Sequence, residues 1–235
     1  MIKLNKNESV ITSEDQYIDT LSSVAKTAGT TNFDLIKAES KELIDAKEIE
    51  ISQFMANNSV TDENRDATVD QAIELWNQYK DLVKNGVCVF TLNNLEIKTV
   101  DKKLHSSVDY DTETLFYGLH LKKYFIDSLP KVKGDDFTTH DVDITFSNAI
   151  ALYHVLSTLK VKGLNKENYA FAHLLYKLSE ISKVYQHYDA ASARLNQTVG
   201  QWTLGLNPAQ ATELKAIVNE TVQSEVATEP ATTEA

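Results

Sequence analysis

Between Asn168 and Leu195 a mostly apolar stripe returns at alternating intervals of three and four residues, through Phe171, Leu174, Leu178, Ile181, Tyr185, Tyr188, Ser192 and Leu195. That spacing places all of them on one side of an α-helix held for several turns. Leu175, Val184 and Ala191 widen the stripe on both flanks. A face that broad suits a helix inside a bundle better than a two-stranded zipper seam. With only 7 Gly and 3 Pro in 235 residues, turns are scarce. Few, long elements are therefore expected, and a Gly-rich phosphate loop is disfavoured.

The fold class expected is mainly α: a multi-helix bundle with one small β-hairpin at about residues 87–100 and extended polar termini. Residues 1–11 read as an arm. Residues 12–226 read as a single helical domain, and 227–235 as a flexible tail lacking apolar periodicity. Within the domain, 12–86 carries the N-terminal helices. The first starts at Thr12 or Ser13 with Glu14 and Asp15 in its first turn. The second runs over 33–56 behind Asn32, on Ile36, Leu43, Ile44, Ile51, Phe54 and Met55. The third opens at Thr61 and ends at Asn85-Gly86, with Gly86 expected in the left-handed conformation of a helix end.

The period then changes. Residues 87–92 and 95–100 flank Asn93-Asn94, a pair that tolerates positive φ, which predicts a two-residue hairpin. It would pair Leu92 with Leu95, Phe90 with Ile97 and Cys88 with Thr99 on an apolar face. A lone hairpin is marginal in water, so it must lie on the helices or pair with another chain. Residues 111–200 hold the core helices. The one over 111–129 carries Leu115, Phe116, Tyr117, Leu119, Leu121, Tyr124, Phe125 and Ile126. It has almost no polar face, so it is either central or covered by a partner. A polar loop with at most a short strand spans 131–143. Helix 144–161 joins the long stripe through Gly163 and Asn165 as an antiparallel pair. Asn207-Pro208 starts a last helix over 207–226.

The net charge is −11, and Arg65 and Arg194 are the only arginines. Phosphate binding and bidentate base reading need clustered cations, so no direct nucleic-acid partner is expected. Lysines at 98–103 and 122–133 read as solvated surface. Cys88 is the only cysteine, which excludes an internal disulfide and fits a buried, inert thiol. No apolar run approaches the roughly 20 residues that span a bilayer, and the first ten residues lack the apolar core of a secretory signal. A cytoplasmic-type compartment, or a particle assembled in one, is expected, and the Asn-x-Ser/Thr sequons are read as incidental.

Chemistry-bearing clusters are sparse. Asp109, Asp111 and Glu113 half-resemble an Asp-x-Asp phosphotransfer loop. However, Glu113 stands where Thr or Val belongs, and a calcium loop wants Gly at Thr114. Helix capping by Asp111 explains the cluster more economically. His140, Asp141 and Asp143 sit in the presumed loop without a second histidine nearby, and read as loop polarity rather than metal ligands. His173 and His187 fall at outward heptad positions and read as solvated. The paired Glu-x-x-His, His-Glu-x-x-His, P-loop and Gly-x-Ser-x-Gly patterns are absent. No catalytic, cofactor or metal residue is therefore assigned.

The reading is a non-enzymatic structural or assembly subunit of a larger complex, such as a virus or phage particle, acting through other protein subunits. Interface candidates are Phe90, Leu92, Leu95 and Ile97 on the hairpin, Phe116, Tyr117 and Tyr124 on the all-apolar helix, and Tyr176 and Trp202 beyond it. The alternatives are a helical enzyme or ligand-binding domain whose site is assembled from scattered residues, and a regulatory adaptor for an amphipathic helix.

Overall fold

The computed structural model describes residues 13–24, 31–58, 61, 63–105, 112–191, 208–209, 211–212 and 216. Both expected arms, the Asp109–Asp111 stretch, Trp202 and most of the expected last helix lie outside them. Among the described residues the chain is mainly helical with one small antiparallel sheet. The helices are α1 (Glu14–Val24), α2 (Ala38–Asn57), α3 (Arg65–Lys84), α4 (Asn94–His105), α5 (Thr112–Tyr124), α6 (Phe146–Ser157) and α7 (Lys166–Asp189). The strands are β1 (Val87–Asn93) and β2 (Thr139–Thr145). No helix among the described residues is long and apolar enough to cross a membrane.

The stripe forms α7 (Lys166–Asp189), the central helix; its last members, Ser192 and Leu195, lie outside the described residues. Phe171, Leu174, Leu178, Ile181, Tyr185 and Tyr188 are all buried. Asn165 caps it, its side chain accepting the Asn168 N–H at 2.9 Å. Gly163, at φ +77, turns the chain into it, a conformation that costs glycine no Cβ clash. The expected antiparallel pairing with α6 is present. Phe146, at the start of α6, lies against the rings of Tyr185 and Tyr188, at the end of α7. The α2 and α3 pair closes the other side of the core through Ile44, Ile51, Trp76 and Tyr79.

The sheet differs from the expected hairpin. β1 pairs with β2, in register Cys88↔Ile144, Phe90↔Val142 and Leu92↔His140. Residues 95–100 are helical, because Ile97, Val100 and Leu104 follow the period of a helix as well as Leu95 and Ile97 follow that of a strand. Asn93-Asn94 is a strand-to-helix junction instead of a turn. Asn93 Oδ1 accepts the Glu96 N–H at 2.9 Å, and Glu96 Oε2 accepts the Asn93 N–H at 2.9 Å. This reciprocal capping box satisfies two otherwise orphaned amides. The apolar face expected of β1 is present: Cys88, Phe90 and Leu92 are buried, and Val142 and Ile144 cover the same side from β2.

Two local expectations are not met. Asn32 caps only the short 3-10 turn Phe33–Leu35, and Ile36 bridges Cys88 before α2 begins. Gly86 does not adopt positive φ. It is required for space: a Cβ there would stand 2.9 Å from the Phe146 ring and 3.2 Å from Ile44 Cδ1.

Candidate functional site

Two places combine unusual chemistry with defined geometry: the outer face of α5 and a buried polar cluster between α4 and α7.

At 100° per residue, Leu115, Phe116 and Leu119 fall within one arc of α5, and Thr114 and Leu121 fall nearly opposite. The inner arc is sealed, with Thr114 3% and Leu121 0% exposed. The outer arc is open: Phe116 is 65%, Leu119 56% and Leu115 46% exposed, and Tyr124 at the helix end is 54% exposed. The helix is held from beneath by α6. The Tyr117 ring meets His154 edge-on at 5.1 Å, and His120 Nε2 lies 3.1 Å from Asn148 Oδ1. Lys122 and Lys123 close its last turn, Lys123 lying over the Tyr124 ring at 4.9 Å. The helix is thus peripheral, with apolar residues on both its covered and its open side.

The second place was not visible as a cluster in the sequence. Glu96 is fully buried, and its carboxylate accepts from three directions. Besides the Asn93 N–H, Lys177 Nζ donates at 2.8 and 3.1 Å, and His173 Nδ1 lies 2.7 Å away. Lys177 also donates to the Thr91 carbonyl at 2.7 Å. The Tyr17 hydroxyl accepts from Asn93 Nδ2 at 2.7 Å, and its ring meets that of His173 edge-on at 5.3 Å. His173 is therefore buried, contrary to the solvated position expected from its heptad letter. The heptad describes only the side of α7 facing α6, whereas α1 and α4 cover the side that carries His173.

Burial alone would raise the Glu96 pKa, but the Lys177 charge and the hydrogen bonds from His173 and Lys177 outweigh it and hold it below the ordinary value. Burial pushes the His173 pKa down, and Lys177 adds to this against the opposing bond to Glu96. Lys177 already supplies the counter-charge, so His173 is neutral and donates its Nδ1–H. Burial and the Glu96 charge push the Tyr17 hydroxyl pKa up. A carboxylate, an imidazole and an amine within hydrogen-bond reach are the raw material of acid–base chemistry. Here, however, each is spent on a neighbour.

A cleft of about 480 Å³ lies elsewhere, between α2 and α3, and is lined by Ser40, Leu43, Lys47, Gln78 and Asp81 among others. It holds no histidine.

The remaining candidates fall as follows. Phe90, Leu92, Leu95 and Ile97 are interior, all below 5% exposed. They contact the chain's own core because residues 94–105 fold back as α4 instead of forming an open strand edge. Phe116 and Tyr124 are exposed, Tyr117 is half-buried against α6, and Tyr176 is half-buried on α7. Trp202, Asp109 and Asp111 lie outside the described residues. His140, Asp141 and Asp143 belong to β2 and take separate partners. His140 Nε2 meets Asn94 Oδ1 at 2.7 Å, Thr91 Oγ1 donates to Asp141 at 2.6 Å, and Lys37 pairs with Asp143. Among the described residues no His, Cys, Asp and Glu side chains gather in a metal-holding group. Cys88 is buried, and burial pushes its thiol pKa up to about 12, far from a reactive thiolate. No family model, curated protein or solved structure matches this chain.

Proposed function

We propose that the protein is a non-enzymatic assembly subunit that uses the outer face of α5 to bind another protein subunit. The observation that carries this reading is the arc of Leu115, Phe116 and Leu119, open on one side of a helix whose other side is core. Single exposed apolar residues are ordinary, but several on one face are characteristic of a contact surface. Phe116 and Tyr124 supply the large rigid rings that dominate contact energies, and Lys122 and Lys123 supply a polar rim. A particle built from repeated subunits, as in a virus or phage, is the setting this reading extends to.

The test is sedimentation velocity on the full chain over a hundredfold concentration range, alone and with its native neighbours. Phe116→Glu and Leu119→Lys are expected to abolish association while leaving the circular dichroism spectrum and Tm unchanged. A wild-type chain that associates with nothing, or variants that associate equally well, would refute the assignment of this face.

A further inference from the structure

Among the described residues, α1 is the α-helix that contributes no side chain to the main core. Tyr17, at 0% exposure, is the one buried residue among its described side chains. It does not join the main core. With Leu95 and Ala170 it forms a separate small cluster, flanked by Phe137 and Tyr169. The phenol enters a socket whose walls are polar: Asn93 Nδ2 donates to its oxygen, and the His173 ring stands against its edge. Beneath the socket, the negative charge of Glu96 is balanced by Lys177. At neutral pH this buried group is therefore electrically closed, with one anion, one cation and a neutral imidazole.

We propose that α1 is an acid-released latch, keyed by Tyr17 into the Asn93–Glu96–His173 socket and ejected when His173 takes up a proton. The imidazolium would be a second buried cation beside Lys177 Nζ, with one carboxylate to serve both. Hydrating it requires water, and α1 is the cover whose departure admits water at least cost. α4 and α7 are fixed through Ile97, Val100, Leu174 and Leu178 in the main core, whereas Tyr17, the buried residue among the described side chains of α1, lies outside that core. The groups facing His173 are Glu96 from α4, Tyr17 from α1, Tyr176 and Lys177 from its own helix, and the neutral Asn93 from β1. Asp136, in the loop before β2, is tied to Asn94 and Thr138, so it offers no competing counter-charge.

The expected size follows from linkage. If the docked state keeps His173 neutral and the free state restores the ordinary value of 6.5, then at pH 5.5 the docking constant falls about tenfold.

Hydrogen exchange followed by mass spectrometry on the full chain, corrected for intrinsic rates, reads this directly. Between pH 7.5 and 5.5, protection across residues 14–24 is expected to fall about tenfold while protection of α6 and α7 holds. The His173 ring signals in NMR should titrate with the same midpoint as this loss. His173→Gln, which cannot take the proton, should keep α1 protected at pH 5.5. Tyr17→Phe, which loses the Asn93 bond, should weaken protection at pH 7.5 as well. The proposal is overturned if α1 stays protected at pH 5.5 in the wild type, or if α6 and α7 open with it. It is also overturned if the midpoint of α1 release departs from that of the imidazole. Should His173→Gln fail to fold, the coincidence of midpoints in the wild type decides alone.

Discussion

Removing Lys177 should be among the most damaging single changes available, and its cost can be worked from the contacts. Its ammonium gives Glu96 two hydrogen bonds, at 2.8 and 3.1 Å, and gives the Thr91 carbonyl a third at 2.7 Å. The Lys177 side chain is 13% exposed and the Glu96 side chain 0%. In Lys177→Met the apolar stem is kept and the charge is lost. The carboxylate then remains buried with only the His173 N–H and the Asn93 amide to serve it. Breaking a buried pair from one side costs about 3–5 kcal/mol, because the surviving charge has no counter-ion. For a chain of this size that is a fall in Tm of roughly 6–20 °C. Replacing Glu96 as well separates the charge effect from lost packing. Gln at 96 still offers an oxygen to the Asn93 amide, so Lys177→Met with Glu96→Gln should recover at least about 1 kcal/mol relative to Lys177→Met alone. Urea unfolding of the four proteins at pH 7, followed by far-ultraviolet circular dichroism, completes the cycle. A Lys177→Met protein within about 1 kcal/mol of wild type would refute the reasoning, as would strictly additive costs in the double variant.

Two glycines should respond oppositely to the same substitution. Gly86→Ala drives a methyl into the Phe146 ring and should cost about 1–3 kcal/mol. Gly118→Ala, on α5 with nothing within 4 Å of the new Cβ, should gain about 0.5–1 kcal/mol by reducing backbone entropy in the unfolded chain. Thermal unfolding of both proteins checks the pair. Asn165→Ala removes the cap of α7 and should cost about 1 kcal/mol in urea unfolding, whereas Asn165→Ser should restore most of it. Stability should also decline with acid in a defined order. His173 and Glu96 both titrate below their ordinary values of 6.5 and 4.5, so at lower pH the unfolded chain binds protons that the folded chain does not. The contribution is complete above about pH 6.5 and drains as the pH falls, first through the histidine and then through the carboxylate. A flat Tm from pH 7 to 5 would contradict this.

What the sequence disclosed depended on how many physical signals each stretch carried. α7 was legible because one long periodic stripe, a capping Asn165 and a preceding Gly163 all agree. α5 was recognisable as apolar on all sides, but its periodicity does not say which half is covered, and only its packing on α6 decides that. Residues 94–100 read as a turn and strand because Asn favours both tight turns and helix starts, and Leu95 and Ile97 fit a strand over so short a span. The discriminating signal was Glu96, three residues after Asn93, which is the spacing of a capping box. The same omission hid the polar cluster. Glu96 and His173 are far apart in sequence, and no local pattern announces that α4 will lie over the side of α7 that carries the histidine.

The partnership of β1 with β2 also constrains how the molecule can come to be folded. A hairpin would zip from its turn within microseconds. These strands instead enclose α4, α5 and everything else from Asn94 to Thr138, so their ends must meet across a large chain excursion whose closure entropy is paid before any ladder bond forms. The two strands therefore act as a clasp fastened late, after the helices between them have shortened the gap. Nascent chains that stall before Thr139 emerges would carry β1 with the backbone edge that β2 takes left unpaired and open to mispairing.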